Sequence, residues 1–321
     1  MNDLVGRSSG NIQLSVIVPV YNEAGNIKTF LNRIQTILNK TALTHEIIFC
    51  MDPSSDNTEQ VIQEEINANA NIKLLIFSRR FGQPAATMAG ILHCVGEACV
   101  VIDVDLQDPP ELIDAMYAKL AYGYEVVYAK RRSRKGETLL KRVISYIGYK
   151  VINKFSDVEI PRNTGDFRVM TRRVIEELRK LNESHGFLRG LVAYVGFKQA
   201  FVEYDRDERL AGVGNYNRFT GSLKIGLNGL ISFSSRPLQM MSVSGATIAG
   251  CSFVLGLWYV FQKLIGMELT PGLSTTVLVV TFFSGVQLLC LGLMGEYIGR
   301  IYDEVKGRPL FIIDKVIEKI E

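Results

Sequence analysis

Tryptophan occurs once and histidine three times in this 321-residue chain. His45, His93 and His185 fall in separate segments with no ligand spacing, so structural roles are expected for them rather than a metal centre. The five cysteines, Cys50, Cys94, Cys99, Cys251 and Cys290, form no Cys-x-x-Cys pair. They read as reduced and mostly buried thiols, which places the soluble part of the chain in the cytosol. Neither a Gly-x-x-x-x-Gly-Lys phosphate loop nor a Gly-x-Ser-x-Gly elbow is found, so the chain is read as neither a P-loop NTPase nor an α/β-hydrolase. A formal net charge of +3 is too small to argue for a nucleic-acid partner. Residues 1–11 are polar and carry no apolar run, so no cleavable signal peptide is expected. No internal repeat or low-complexity stretch is visible.

Charge is also absent locally. It is spread through the first two thirds of the chain, then vanishes between Pro237 and Gln262 and again between Leu269 and Gly295. Leu238 to Phe261 and Leu273 to Gly295 are each long enough to cross a bilayer, which takes roughly 20 apolar residues. The short connection between them makes a hairpin. Arg218, Lys224 and Arg236 precede it and Arg300, Lys306 and Arg308 follow it, whereas the connection offers only Lys263. The positive-inside rule then puts both ends, and the N-terminal domain, on the cytoplasmic side. Arg218 to Arg236 alternates apolar and basic residues and reads as a helix lying in the membrane interface. Leu139 to Phe155 is amphipathic too. The expected organisation is a catalytic domain over 1–217, an interfacial segment over 218–236, a transmembrane hairpin over 237–298 and a cytoplasmic tail over 299–321.

The first part of the chain alternates strand and helix patterns. Strands are expected at Ile12 to Val20, Glu46 to Cys50, Ile72 to Phe77, Ala98 to Val104, Glu125 to Ala129 and Phe167 to Met170. Helices are expected at Asn22 to Asn39, Thr58 to Asn67, Pro84 to Val95, Pro109 to Ala121 and Arg172 to Leu181. This is an α/β domain with a doubly wound, mostly parallel sheet. Ligands of such sheets bind beyond the carboxyl ends of the strands. Four polar segments converge there: Tyr21 to Glu23, Asp52 to Asp56, Ser78 to Gln83 and Asp103 to Asp108. Within the last, Asp103-Val-Asp-Leu-Gln107 sets two carboxylates two residues apart at a strand end, a donor pair that suits Mg²⁺ or Mn²⁺ and a bridged diphosphate. Asp108, before Pro109-Pro110, reads as a helix cap. The basic run Lys130 to Lys135 lies at another strand end.

Five segments carry a family resemblance: Pro19-Val-Tyr-Asn-Glu23, Asp52 to Thr58, Ser78-Arg-Arg-Phe-Gly82, Asp103-Val-Asp-Leu-Gln-Asp-Pro-Pro-Glu111 and Gly165-Asp-Phe-Arg168. In this order they resemble glycosyltransferase family 2, and within it the polyisoprenyl-phosphate glycosyltransferases: bactoprenol glucosyltransferases and, more distantly, dolichol-phosphate mannose synthases. The resemblance implies a GT-A-like fold and assigns roles. Pro19, Tyr21, Glu23, Asp52, Arg80, Gln83 and Asp103 would serve the nucleotide, with Asp52 on base or ribose. Asp103, Asp105 and Gln107 would hold the divalent cation. Arg131, Arg134, Arg168 and Arg209 would meet the acceptor phosphate. Asp105 and Arg131, with Asp166 and Asp157 as candidate bases, would carry the chemistry. Four positions depart from the pattern: Met51 and Pro53 in the nucleoside turn, Gln83 where Lys or His is expected, and Asn215 where relatives carry Lys.

A phosphate monoester has a second pKa of about 6 and is mostly dianionic at neutral pH, so it needs little help from a base. It needs its charge held in line with the sugar carbon, which guanidinium forks do well. Direct displacement inverts that carbon. The expected reaction is transfer of glucose from UDP-glucose to a polyprenyl phosphate, with UDP-GlcNAc, UDP-galactose and GDP-mannose open as donors. A processive polysaccharide synthase resembles this pattern but carries Gln-x-x-Arg-Trp; the single Trp258 lies in a membrane span instead. A non-catalytic nucleotide-binding anchor is the other alternative. The resemblance and the glycines of the hairpin point to a homo-oligomer, with a tetramer in view.

Overall fold

The computed structural model describes residues 12–132, 161, 164–181, 183, 188–205, 234, 236–266 and 272–319. Arg134, Asp157, Arg209, Asn215, the 139–155 segment and nearly all of 218–236 lie outside them.

The chain opens with β1 (Leu14–Val20), α1 (Ala24–Thr41), β2 (His45–Met51), α2 (Thr58–Ala68), β3 (Ile72–Phe77), α3 (Gln83–His93) and β4 (Ala98–Val101). It continues with α4 (Leu112–Leu120), β5 (Val126–Arg131), β6 (Thr164–Thr171), α5 (Arg172–Lys180), α6 (Leu188–Val195) and β7 (Gln199–Tyr204). Two long helices follow, α7 (Arg236–Leu264) and α8 (Leu273–Val305), and then β8 (Ile313–Glu318). The described strands form one sheet in the order β7-β5-β6-β4-β1-β2-β3-β8. β1 through β4 are mutually parallel; β6 runs against β4 and β5, and β7 runs with β5. The carboxyl ends of β1 to β5 and β7, and the amino end of β6, therefore lie along one edge.

Period-two alternation in the strands builds a core on each face. Leu14, Val16, Val18 and Val20 of β1 join Phe30, Ile34 and Phe49 on one side. Ile17 joins Ile48, Cys50, Met88 and Ile91 on the other. There α3 approaches closely. A Cβ added to Gly90 would sit 2.3 Å from Ile17 Cγ2 and 2.9 Å from Cys50 Sγ. Gly90→Ala should overpack this contact and destabilise the domain by about 1–3 kcal/mol, seen as a lower melting temperature with the fold retained.

The sheet differs from the expected strands in instructive ways. β4 pairs only as far as Val101, opposite Ile17, although the apolar run continues to Val104. Ile102 N–H still donates to Ile17 O. The next ladder bond would come from Pro19, which has no N–H, so pairing stops and the chain is released towards Asp103. β5 extends two residues further than expected and takes in Lys130 and Arg131.

The largest difference lies at the C-terminus. The segment expected to be a cytoplasmic tail is β8, which adds antiparallel to β3 and forms an edge of the sheet. The chain thus leaves the catalytic body, runs through α7 and α8, and returns to the same sheet. Both ends of the helical pair are therefore on one side of whatever the helices enter. Arg236–Gln262 and Val279–Val305 are long and apolar enough to cross a membrane, with mean hydropathy 1.6 each, and neither window is buried in the chain. Phe253, Leu257, Trp258, Leu288 and Leu289 are all more than half exposed. Such a surface on a water-soluble chain would be an aggregation hazard; the two helices are suited to association with a membrane. α8 continues past the apolar stretch through Glu296, Arg300, Asp303 and Glu304 before ending at Val305.

Candidate active site

The first two loops of the carboxyl edge are tied together. Ser55 N–H donates to Asn22 Oδ1 (2.8 Å), Glu23 N–H to Thr58 Oγ1 (2.9 Å) and Ala24 N–H to Asp56 Oδ2 (3.1 Å). Asn22 has a positive φ of 54°. Tyr21 stands beside this turn, half-buried, with the Arg80 guanidinium stacked 3.9 Å from its ring centroid. The Glu23 carboxylate accepts from Asn26 at the start of α1.

Asp52 is 3% exposed, and its two carboxylate oxygens accept the N–H groups of Phe81 and Gly82, both at 2.9 Å. Asp52, expected at base or ribose, thus fixes the course of the 78–83 loop through these two amides. Gly82 requires its residue type, because φ is +92° where the loop turns into α3. Gln83, the first residue of α3, donates from Nε2 to Asp103 Oδ1 at 2.8 Å. Gln83 thus joins the 78–83 loop to the first carboxylate of the acidic pair.

Asp105 is 7% exposed and accepts the Gln107 N–H at 3.2 Å. Gln107 contributes this amide to the loop. Between them Leu106 is left-handed, with φ 56° and its side chain buried. A non-glycine residue in that region costs of order 1 kcal/mol and persists where the surroundings over-determine it, often at functional sites. Among the described residues no three His, Cys, Asp or Glu side chains are grouped to hold a metal ion. The Asp103–Asp105 pair offers carboxylate oxygens, the donor chemistry that suits a hard divalent cation.

A second cluster lies beside the first. Asp108 does not cap a helix: α4 begins only at Leu112, and the Asp108 carboxylate is 2% exposed. It accepts a hydrogen bond from Tyr204 Oη and pairs with Arg131 at 3.4 Å, while Arg131 Nε donates to Tyr204 Oη at 3.0 Å. Burial and the neighbouring carboxylate push the Tyr204 hydroxyl up to about 12. Burial works against the Arg131 charge, yet Asp108 and Tyr204 raise its pKa. Gly165 leaves room for this guanidinium, since an added Cβ would lie 3.0 Å from Arg131 Nη2.

β6 contributes Asp166 and Arg168. Arg168 was expected at an acceptor phosphate, but its side chain is fully buried. It donates to Asp166 Oδ1 (2.9 Å) and to Gly165 O (3.3 Å). Its strand parity puts it inside, in register with Val101 and Tyr128. Arg189 of α6 grips both Asp166 oxygens, at 3.0 and 3.3 Å. Burial alone would raise the Asp166 pKa, but Arg189 and Arg168 outweigh it and hold it at about 2. Asp166, one of the candidate bases, is thus a lasting anion between two guanidiniums. The pairing of Asp108 with Arg131 and Tyr204, and that of Arg189 with Asp166, escaped the sequence reading. No local pattern marks them, and only the tertiary fold brings these partners together.

Comparison with known proteins agrees with this architecture. The family model described as glycosyl transferase family 2 matches residues 15–179. An uncharacterized glycosyltransferase of Bacillus subtilis, YkcC, is 43% identical over 307 residues, covering 96% of this chain and 95% of the relative. A prophage-derived bactoprenol glucosyl transferase of Shigella flexneri is 38% identical over 304 residues, covering 95% and 98%. Among solved structures, glucosyl-3-phosphoglycerate synthase of Mycobacterium tuberculosis, in complex with Mn²⁺, UDP and glucosyl-3-phosphoglycerate, aligns with a TM-score of 0.48 at 18% identity. That alignment covers 68% of this chain and 77% of the synthase. The mixed eight-stranded sheet with its flanking helices is GT-A-like, in keeping with the family model. The chain belongs to glycosyltransferase family 2.

Proposed function

We propose that the protein transfers a sugar, glucose from UDP-glucose in the first instance, onto a polyprenyl phosphate at the cytoplasmic face of the bacterial inner membrane. The observation that carries this reading is a single body with the Asp103–Asp105 pair at its sheet edge and two unburied apolar helices leaving and re-entering that same body. The kinship with bactoprenol glucosyl transferases over nearly the whole chain supports the choice of acceptor and donor. A divalent cation, Mg²⁺ or Mn²⁺, would be held by Asp103 and Asp105 and would neutralise charge on the departing diphosphate. The 78–83 loop, Tyr21 and Arg80 line the donor side. Arg131 is fixed by Asp108 and Tyr204, its charge secured for the acceptor phosphate. The phosphate dianion is itself the nucleophile, and in-line displacement gives inversion. Positive charge flanking the helical pair, at Arg236 and at Arg300, Lys306 and Arg308, supports the cytoplasmic orientation. Gly245, Gly250, Gly285 and Gly292 have open space where a Cβ would stand, which supports close packing with helices of further copies in a homo-oligomer.

A radiolabelled donor panel tests this. Membranes containing the full chain, a short polyprenyl phosphate and Mn²⁺ or Mg²⁺ should transfer label fastest from UDP-glucose, and NMR of the product should show an inverted anomeric carbon. Faster transfer from another donor would reassign the sugar. Retention of configuration would reject direct displacement. Nucleotide binding without transfer to any acceptor would favour a non-catalytic anchor.

A further inference from the structure

We infer that Phe311, on the segment that returns from the membrane helices, is a positioning residue for the nucleotide-binding loop. This rests on the reading of the 78–83 loop as part of the donor site. The loop is held from two sides. On one side is Asp52, through the amides of Phe81 and Gly82. On the other is the C-terminal segment. Ser78 N–H, at the first residue of the loop, donates to Ile312 O at 3.0 Å. The Phe311 ring lies 5.9 Å from that of Phe77, the last residue of β3, and 5.9 Å from that of His93 at the end of α3. Phe77 in turn meets Phe81 edge-on at 6.2 Å. Phe311 therefore touches both elements that bracket the loop, the strand before it and the helix after it.

The pairing register sharpens the point. β8 runs regularly against β3 from Lys73–Glu318 to Ile76–Lys315, then shifts so that Phe77 faces Ile313. The irregularity re-aims the chain where the loop begins, as bulges do beside sites. The loop ends on Gln83, whose amide reaches Asp103. A continuous set of contacts thus runs from the exit of α8 through Phe311, Phe77 and Phe81 to the first acid of the metal pair. The donor site is built partly by residues beyond the membrane helices.

Nucleotide binding by the full chain in detergent, titrated with UDP and with GDP in the presence of Mn²⁺, tests the inference. Phe311→Ala should weaken the better nucleotide roughly tenfold and raise the donor KM, leaving the KM for polyprenyl phosphate unchanged. Phe311→Tyr should restore binding. Phe311→Leu, which keeps apolar bulk and so protects the fold, should weaken it in the same direction. Val316→Thr alters β8 opposite Leu75, away from the loop, and should bind like the wild type. Binding by Phe311→Ala or Phe311→Leu within about twofold of wild type overturns the inference. So does an equal loss in Val316→Thr, because the effect would then belong to the sheet edge in general. A wild-type chain that binds neither nucleotide overturns the donor-site reading, and the inference with it.

Discussion

Replacing Asp103 and Asp105 together by alanine is expected to lower sugar transfer by at least about 10³-fold, the scale on which removal of charge-stabilising groups acts. Both acids stand where β4 loses its ladder, just beyond Val101, and neither belongs to the hydrophobic core. Asp103 is reached by Gln83 and Asp105 by the Gln107 amide. These are loop contacts, so the double variant should keep its circular dichroism and melt close to the wild type. The departing nucleotide carries a diphosphate. Without the paired carboxylates the proposed cation loses both of its acidic ligands, and the arginines must balance more of the charge that develops. Removing the cation from the wild type with a chelator should give the same loss, reversed by adding Mn²⁺, while the double variant should respond to neither. A folded double variant that transfers sugar at more than about a tenth of the original rate would remove the acids from the mechanism.

The first half of the domain was readable because local and tertiary preferences agree there. Branched residues crowd β1 to β3, helical spacing marks α1 and α2, and the polar segments between them could end only at the carboxyl edge. The readings failed where a residue's role is set by a distant neighbour. Ile313–Glu318 mixes Asp314, Lys315 and Glu318 with its apolar residues, and nothing local marks it as a strand. Its partner is the open edge of β3, more than two hundred residues away. The Gly-Asp-Phe-Arg resemblance placed Arg168 at the acceptor phosphate, but a motif does not give the face on which a strand sets its arginine, and here it is buried. Asp108 looked like a cap because two prolines follow. The cap reading was overturned by Tyr204 and Arg131, which arrive from two other strands. The placement of the acidic pair and of Tyr21, Arg80 and Gln83 along the carboxyl edge was legible because each lies in a segment that links a strand to the element after it, and the doubly wound arrangement gathers those segments on one edge.

Asp166→Ala should be among the most destabilising single substitutions in the catalytic domain, at about 3–5 kcal/mol, because it strips a buried cation of its carboxylate. Arg168 is fully buried and bonds Asp166 at 2.9 Å, whereas Arg189 on the other side is half-buried and can turn to water. A loss of that size corresponds to a fall in melting temperature on the order of 10 °C for a domain of this size. The pH dependence follows from the same contacts. In the folded protein the Asp166 pKa lies at about 2, below the value near 3.9 expected for a free aspartate. The stabilisation is therefore complete above about pH 4 and is lost as pH falls towards and through 2. Melting curves in detergent should show the wild type losing stability across that window more steeply than Asp166→Asn. Adding Arg168→Met to Asp166→Asn should recover part of the loss, since no buried charge is then left without a partner. The same low pKa argues against Asp166 as a proton acceptor: an acceptor phosphate, with its second pKa of about 6, is the stronger base. A variant lacking the carboxylate that melts with the wild type would show that Arg168 is neutralised by other means, and the site would have to be rebuilt around that finding.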